Sequence, residues 1–397
     1  MNVLVLNAGS SSLKYKLLDM ATDTALASGL AERIGQGNGR LTHETASGKV
    51  VEDLPLPDHR AALARAVALL TDPGQGVMQG PAAVGAVGHR VVHGGERFSA
   101  PAVIDRAVRD GIEAAVPLAP LHNPANLQGI DTAMALFPGC PHVAVFDTAF
   151  HQTMPPKAFL YALPYAWYEQ YGVRRYGFHG TSHRYIATET ARFLGKPLSA
   201  CDLVTVHLGG GDSVCAIKGG QSVDTSMGMT PLAGTMMGTR SGDIDPEIIF
   251  YLRRTAKLEN AAIDAALNTQ SGLYGICGSS DLRDIHARRQ AGDARAELAF
   301  EMFALSIRKY IGAYIATLGR VDAVTFTAGI GEHDPATREL CLKGLAGRGI
   351  VLDPEKNRAA MGQAMEIGTP ESPVRIFAIP TDEEREIARE SLAVLGR

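Results

Sequence analysis

Apolar runs interrupted by small polar residues recur along this chain. The first, at 3–18, is apolar on both sides of an Asn-Ala-Gly-Ser-Ser-Ser segment at 7–12. Runs rich in β-branched and apolar residues predict strands, and glycine–serine clusters between them predict turns. The same order returns at 203–217 around three consecutive glycines, and its first half returns at 321–332. One such unit opens each half of the chain, which indicates two duplicated domains.

The small-residue turns are also candidates for phosphate binding. A turn of glycine and serine exposes backbone N–H groups and hydroxyls with little side-chain bulk, which suits close approach to phosphate oxygens. Lys14 follows the first turn, where its ammonium group could reach the same anion. A tight turn with no ligand explains either segment alone, so both interpretations stay open. Two such turns on duplicated domains would suit a polyphosphate bound from both sides.

Helical periodicity is strongest at about 294–318. Gly319 follows directly and is expected to end this helix. Domain core is the first interpretation of its apolar stripe, and an oligomer interface is the second. The stripe consists of Phe300, Phe303, Ile307, Ile311, Tyr314 and Leu318.

Further elements follow from the same rules. An amphipathic helix is predicted to open at Asp58, and Ser182 is predicted to cap the helix that runs to Leu194. Residues 381–384 are predicted to cap a terminal helix that packs against the first domain. Buried strands are predicted at 83–92, 142–146 and 374–379.

Composition narrows the function classes. A chain of 397 residues exceeds what one core usually covers, so two domains are expected. The net charge of −4 gives a nucleic-acid partner no electrostatic support. The five cysteines are scattered, as is typical of reduced thiols in a cytoplasmic protein. Neither a signal peptide nor a membrane span is predicted.

Two charged residues stand where predicted strands end. Arg90 comes at the end of the 83–92 strand, just before a glycine turn, and Asp147 follows the 142–146 strand. Strand ends are where α/β proteins commonly place site residues. A surface arginine fits the first position equally well, and the aspartate could be a base, a metal ligand or a helix N-cap.

His179, His183 and Arg240 are the remaining candidates. The two histidines are four residues apart, but the glutamate of the zinc-protease pattern is missing and Gly180 places His179 before the helix. Zinc binding is therefore not expected. Arg240 lies in a glycine- and threonine-rich segment at 222–246, which is too long to be an idle loop in a compact domain.

Nine motifs, in order from end to end, resemble those of the acetate kinase family. They are VLNAGSSSLK at 5–14, GHRVVHGG at 88–95, FDTAFH at 146–151, YGFHGTSH at 176–183, DTSMGMTPL at 224–232, MGTRSGDIDP at 237–246, SDLRD at 280–284, FTAGIGE at 326–332 and TDEE at 381–384.

The resemblance implies an α/β protein built from two duplicated domains of the ribonuclease H-like, actin-like ATPase fold. Each domain would follow the order βββαβαβα, and the active site would lie in the cleft between them. The first domain would comprise 1–150, completed by a C-terminal helix at 382–397. The second, at 151–381, would carry the nucleotide site and the dimer interface.

The resemblance also implies catalytic roles. Arg90 would bind the substrate, Asp147 would be the catalytic carboxylate, and His179 and Arg240 would stabilise the transition state. A carboxylate nucleophile is already ionised and needs little general-base help. We therefore expect Asp147 to orient an arginine or a metal-bound water rather than to remove a proton.

Ligand contacts follow from the same resemblance. Asn7 and Glu383 would hold Mg²⁺ or Mn²⁺, and Lys14 would lie near the phosphates of ATP or ADP. The nucleotide would contact His207, Leu208, Gly209, Gly210, Gly211, Asp281, Leu282, Arg283, Gly329, Ile330, Gly331, Glu332 and His333. The substrate pocket would be formed by Arg90, Val92, Leu121, Phe178 and Pro231.

The chain departs from the family pattern at three positions. Gly210 stands where asparagine is usual, His333 stands where asparagine follows Gly-Ile-Gly-Glu, and Asp382 replaces the asparagine before Glu383. The first two concern the nucleotide side and leave the preferred phosphoryl donor open.

The resemblance implies a cytoplasmic, homodimeric acetate kinase that uses Mg²⁺ to convert acetate and ATP into acetyl phosphate and ADP. A propionate or other short-chain acyl kinase is the nearest alternative. A conformational ATPase of the actin type is a different class, disfavoured because paired arginines beside a methyl-sized pocket serve it no purpose. A metalloprotein built on the 12 histidines is the remaining alternative.

Overall fold

The computed structural model describes all 397 residues, and the chain divides into two compact units. The first unit comprises 1–152 together with 382–397, and the second comprises 153–381. Each unit contains one β-sheet covered by helices.

The strands, numbered in chain order, are β1 (Asn2–Ala8), β2 (Ser12–Asp19), β3 (Thr24–Glu32), β4 (Arg40–Thr45), β5 (Gly48–Asp53), β6 (Val84–Val91), β7 (Ala102–Val103), β8 (His142–Phe146), β9 (Asp202–Leu208), β10 (Asp212–Lys218), β11 (Gln221–Thr225), β12 (Ala323–Thr327), β13 (Met365–Glu366) and β14 (Arg375–Ala378).

The α-helices are α1 (His59–Leu70), α2 (Arg106–Ala114), α3 (Asn123–Leu136), α4 (Pro156–Phe159), α5 (Tyr165–Tyr171), α6 (Gly180–Leu194), α7 (Glu247–Thr255), α8 (Asn260–Thr269), α9 (Gly272–Cys277), α10 (Leu282–Gln290), α11 (Ala294–Leu318), α12 (Ala328–His333), α13 (Pro335–Leu342), α14 (Pro354–Ala359) and α15 (Glu383–Val394). Short 3-10 turns form at Pro81–Ala83, Val116–Leu118, Ala149–Thr153, Leu198–Ala200 and Ala346–Arg348.

The two sheets share one arrangement of strands but differ in size. The first has the strand order β5-β4-β3-β2-β1-β6-β8-β7, and the second has β11-β10-β9-β12-β14-β13. In each, an antiparallel meander begins at a central strand, β1 or β9. That strand pairs in parallel with a later strand, β6 or β12, which pairs in parallel with a further one, β8 or β14. A short antiparallel strand closes the edge of each sheet. The predicted duplication and α/β class are confirmed.

Alternation along β1 explains how the first sheet is covered on both faces. Leu4 and Leu6 join the core beneath α1 and α3, whereas Val3 and Val5 pack against Ile387 and other residues of α15. Successive side chains of a strand point to opposite faces, so one apolar strand supplies both cores. The terminal helix therefore packs on the first sheet, as predicted.

Helix α11 forms the centre of the second core. All six residues of its predicted stripe are buried, and Phe300 and Phe303 belong to one cluster with the apolar residues of β9 and β10. Asp293 caps its first turn and Gly319, at a φ of 76°, ends it. None of the helices combines the length and apolar character needed to cross a membrane.

Two sequence-based expectations were wrong in detail. Ser182 lies inside α6, and His179 occupies the N-cap position instead. After β12 the chain enters α12 directly, so the third repeat has a helix where the first two have a turn.

Candidate active site

In the first unit, Arg90 and Asp147 meet because their strands are neighbours. Arg90 is the last residue but one of β6, and Asp147 follows β8, which pairs in parallel with β6. The Asp147 N–H donates to the carbonyl of Val91 at 2.9 Å, which holds the aspartate in line with the strand end. Arg90 Nη2 donates to Asp147 Oδ2. The carboxyl ends of parallel strands thus bring the pair together, as expected in an α/β sheet.

Two further predicted residues surround Arg90. Its Nη1 donates to Asn7 Oδ1 at 3.4 Å, and its Nε lies 3.9 Å from Glu383 Oε2. Asn7 comes from the end of β1, and Glu383 is the first residue of α15. Four of the predicted site residues therefore form one group in the first unit, which we call the Arg90 cluster: Asn7, Arg90, Asp147 and Glu383.

The Arg90 cluster contains two acidic side chains and one basic side chain. Burial alone would lower the pKa of Arg90, but the charges of Asp147 and Glu383 outweigh it and raise that pKa. Burial raises the pKa of Glu383 to about 7, with Asp147 and Glu384 adding to the rise and Arg90 opposing it. The Arg90 Nε is buried without a hydrogen-bond partner.

Lys14 lies beside the same helix start. Its Nζ is 2.6 Å from Glu384 Oε1, and this pairing outweighs the effect of burial and raises the pKa of Lys14. Asp382 caps α15 by accepting the N–H of Arg385, and it also pairs with Lys16 at 2.8 Å. The aspartate that departs from the family pattern thus keeps an N-cap function.

In the second unit, His179 has a left-handed backbone with a φ of 57°. Such a conformation is uncommon for a residue other than glycine and occurs preferentially at functional sites. Its Nδ1 lies 2.8 Å from Ser213 Oγ, and its ring stacks on His207 with centroids 4.1 Å apart. His183 lies 2.7 Å from the same Ser213 hydroxyl through its Nε2.

Arg240 lies close to the glycine turn between β9 and β10. A Cβ added at Gly211 would be 2.9 Å from Arg240 Nη1 and 3.6 Å from His179 Cε1. A larger residue there would therefore displace the end of the Arg240 side chain. Burial lowers the pKa of Arg240, and the nearby Asp212 opposes that change.

A cavity of about 1100 Å³ is lined by six of the residues predicted to contact the nucleotide. The turn before α10 and the start of α12 both line it, although they are almost 50 residues apart in sequence. Of the predicted residues, those that line the cavity are Asp281, Leu282, Arg283, Gly329, Ile330 and His333. The others, His207, Leu208, Gly209, Gly210, Gly211, Gly331 and Glu332, lie outside its lining.

Buried contacts fix the α12 part of this cavity. Arg338 is fully buried and donates through Nη1 to the carbonyl of Gly331 at 2.8 Å. Glu332 accepts the N–H of Thr381 at 3.0 Å. Ala328, the first residue of α12, has a left-handed φ of 64°. Glu332 is thus a structural tie to the end of the second unit rather than part of the cavity wall.

Several cavity residues were missed from the sequence. His286 pairs with Asp334 at 2.7 Å, and Arg289 pairs with Glu297 at 2.8 Å, all on the cavity wall. His286 and Arg289 follow Arg283 at spacings of three along α10. This helical spacing on one face was the signal that could have identified them.

The predicted substrate-pocket residues differ in burial. Val92 and Phe178 are 5% and 3% exposed, and Pro231 is partly buried. Leu121 is 77% exposed, so it forms no enclosed pocket with other residues of the first unit. Asp212, which the motif comparison overlooked, is by contrast fully buried beside Arg240.

Comparison with known proteins gives one consistent result. The family model described as the Acetokinase family matches residues 2–389. A protein of Maridesulfovibrio salexigens named acetate kinase is 52% identical over 396 residues, covering all of both chains. Among solved structures, Porphyromonas gingivalis acetate kinase superposes with a TM-score of 0.95 and is 45% identical in sequence. A propionate kinase from Francisella tularensis subsp. tularensis SCHU S4 superposes with a TM-score of 0.92 and is 39% identical. Each match covers 99% of both chains. The chain belongs to the acetokinase family.

Proposed function

We propose that this chain is an acetate kinase, which transfers the terminal phosphoryl group of ATP to acetate and forms acetyl phosphate and ADP. The observation that carries the proposal is the Arg90 cluster. A half-buried arginine is held by an aspartate at the ends of two parallel strands, where a small anion would find one fixed guanidinium. The cavity of the second unit would hold the nucleotide donor, which is supported by the six predicted residues that line it.

The reaction needs charge stabilisation more than proton transfer. One acetate oxygen forms a bond to the γ-phosphorus while the bond to the β–γ bridging oxygen breaks, and ADP leaves with that electron pair. No proton is gained or lost when acetate and ATP react in their ionised forms. Arg90, Arg240 and His179 would neutralise charge on the acetate and the transferring phosphoryl oxygens. Asp147 would act by orienting Arg90, which it already contacts.

The Arg90 cluster also fits a divalent cation. Asn7 and Glu383 present oxygen donors, which Mg²⁺ prefers. These two residues would hold the ion, partly through water. When bound, Mg²⁺ would neutralise the phosphate oxygens of the nucleotide.

Donor preference depends on the two departures from the family pattern. His333 lines the cavity, and its Nδ1 lies 3.1 Å from the carbonyl of Gly329. Gly210 leaves open space, because a Cβ there would have no heavy atom within 4 Å. ATP remains the proposed donor, since the cavity of about 1100 Å³ would accept a nucleoside as well as phosphates.

A propionate kinase is the second candidate, favoured by the structural similarity at 39% identity. Val92, Leu121, Phe178 and Pro231 would form the pocket that distinguishes the two acids. One methylene in an apolar pocket changes discrimination by about 1–3 kcal/mol. We therefore expect propionate to be used roughly 10- to 200-fold less efficiently than acetate.

A hydroxamate assay across formate, acetate, propionate and butyrate tests both candidates, with ATP, GTP and pyrophosphate as donors. Acetate should give the highest kcat/KM with ATP. A higher kcat/KM for propionate would favour the second candidate, and ATP hydrolysis that does not depend on added carboxylate would refute both.

We also propose a homodimer. Leu298, Met302 and Leu305 on α11 are 39–50% exposed, and their spacing of four and three residues places them on one helix face. This exposed face lies opposite the buried stripe of the same helix and would be covered by a second copy of the chain. The cytoplasmic location and the absence of nucleic-acid partners stay predictions.

A further inference from the structure

The turn between β9 and β10 has no side chains of its own to fix it. Leu208 pairs with Asp212, and the three residues between them are all glycine. Glycine loses more conformational freedom on folding than any other residue, so such a turn needs an external tie. The tie is Asp212, whose Oδ1 accepts the N–H of Gly209 at 2.8 Å.

The other oxygen of Asp212 has no such partner. The residue is fully buried, and its Oδ2 forms no hydrogen bond. Burying a carboxyl group in this state costs free energy, so the position opposes folding unless another benefit offsets it. Neither the family motifs nor the cavity assigns it a role.

The surroundings of Asp212 suggest that benefit. Gly211, the residue before it, lies against both side chains: an added Cβ would be 2.9 Å from the Arg240 guanidinium and in van der Waals contact with the His179 ring. Thr235, from the segment that carries Arg240, donates its hydroxyl to the Asp212 carbonyl at 3.5 Å. The turn, Arg240 and His179 therefore share one packing arrangement, and Asp212 is the side chain that ties the turn to it.

We propose that Asp212 is a positioning residue for phosphoryl transfer: it fixes the glycine turn and, through that turn, the place of the Arg240 guanidinium. This inference rests on the proposed function. Amides of the fixed turn would face phosphate oxygens of the donor, and Arg240 would face the transferring group. Asp212 itself would touch neither.

Its protonation state suits this role. Burial raises the pKa of Asp212 to about 8, against the Gly209 hydrogen bond and the charge of Arg240. The other ionisable group that senses Asp212 is Cys341 of α13, a buried thiol whose pKa is raised by that burial. At pH 7 the carboxyl group is mostly neutral, so the charge of Arg240 stays available to an anionic ligand. Above pH 8 the carboxylate would compete for it.

Three variants test the proposal. Asp212→Asn keeps an oxygen for the Gly209 N–H and cannot ionise, whereas Asp212→Ala removes the acceptor. Asp224→Asn is the matched control, since Asp224 is a partly buried aspartate of β11 whose pKa is also raised by burial, and it pairs with Arg175. Each variant is assayed as the full chain for kcat and for the KM values of ATP and acetate.

We expect Asp212→Ala to raise the KM for ATP about tenfold and to lower kcat about tenfold at pH 7. Asp212→Asn should remain within about threefold of the parent, and so should Asp224→Asn. Equal losses in the Asn and Ala variants, or none in the Ala variant, would overturn the proposal. If Asp224→Asn loses as much activity as Asp212→Ala, the effect is one of general packing and the proposal is refuted.

Two readouts separate this inference from the proposed function. Hydrogen exchange of the peptide that contains Gly209 should accelerate in Asp212→Ala alone, and this needs no activity. In the pH profile, the kcat of the parent should fall as pH rises through about 8, and that of Asp212→Asn should not. If hydrogen exchange is faster in Asp212→Ala but the parent shows no acetate-dependent turnover, the proposed function is refuted and the role of Asp212 in fixing the turn is kept. If the parent is active and exchange in Asp212→Ala is unchanged, the role of Asp212 in fixing the turn is refuted.

Discussion

Arg90 is held by contacts on three sides, from Asp147, Asn7 and Glu383. We predict that Arg90→Ala lowers kcat about 100-fold or more, because a fixed charge aimed at developing negative charge is lost. Arg90→Lys should recover only part of this, since one ammonium group cannot reproduce the several directed contacts of a guanidinium. Arg109→Ala, which removes a surface partner of Asp131, serves as the control. A kcat for Arg90→Ala within threefold of the parent would exclude the assigned role.

The raised pKa of Asp212 has a consequence for stability. Its ordinary value is 3.8 and its folded-state value is about 8, so between these pH values the folded chain keeps a proton that the unfolded chain has released. Stability contributed by this group therefore falls as pH rises from about 4 to about 8, by about 1.4 kcal/mol per pH unit at most.

We accordingly predict that Asp212→Asn unfolds at a higher temperature than the parent at pH 8, and that the two coincide at pH 4. Thermal unfolding in a series of buffers measures the difference, with Asp224→Asn as the comparison. A difference that does not grow with pH would show that the Asp212 carboxyl is ionised in the folded protein.

The sequence correctly predicted which site residues meet only where those residues stand at the ends of strands. Arg90 and Asp147 stand at strand ends, so their meeting followed from the parallel pairing of β6 and β8. Asp212 could not be recognised in this way, because an aspartate after glycines is ordinary turn chemistry. Its significance comes from burial and from a tertiary neighbour, Arg240, which no local pattern contains.

At the scale of elements, α11 carries the second core. We predict that Phe303→Ala destabilises the second unit by about 3–5 kcal/mol, since the ring is fully buried and its loss leaves a cavity. Thr317→Ala, at an exposed position of the same helix outside the Leu298, Met302 and Leu305 face, should cost far less. Denaturant unfolding followed by far-UV circular dichroism measures both. Similar losses in the two variants would show that the loss in Phe303→Ala does not come from a cavity in the core.

Periodicity predicted α11 from Ala294 to Leu318, because an apolar stripe, an N-cap residue and a terminal glycine all indicate the same helix. The prediction of a helix start failed where the backbone conformation is unusual. His179 takes a left-handed conformation at the start of α6, so the rule that prefers serine as a cap pointed to Ser182. Ser182 instead contacts His207 Nδ1 at 2.8 Å through its hydroxyl, a tertiary contact that overrides the local preference.

For the whole molecule, duplication is the organising feature. An antiparallel meander beside parallel strands arises twice, from sequences that share only a strand–turn–strand pattern at their starts. Both glycine-containing turns follow a central strand, β1 or β9, so the two turns occupy equivalent positions in the two sheets. The cavity lined by α10 and α12 could not be predicted from this strand–turn–strand pattern, because the two helices meet through tertiary packing alone.

The assembly of the molecule leads to the last prediction. If a second copy covers the exposed face of α11, Met302→Glu should place a charge at the centre of an apolar contact, between Leu298 and Leu305. An unpaired buried charge is costly, so the variant should be monomeric at concentrations where the parent is a dimer. Light scattering coupled to size-exclusion chromatography measures the mass of each. Val51→Glu, on the exposed edge strand β5 of the first unit, changes a side chain of similar exposure and should leave the dimer intact. A monomeric parent, or a dimeric Met302→Glu, would refute this interface.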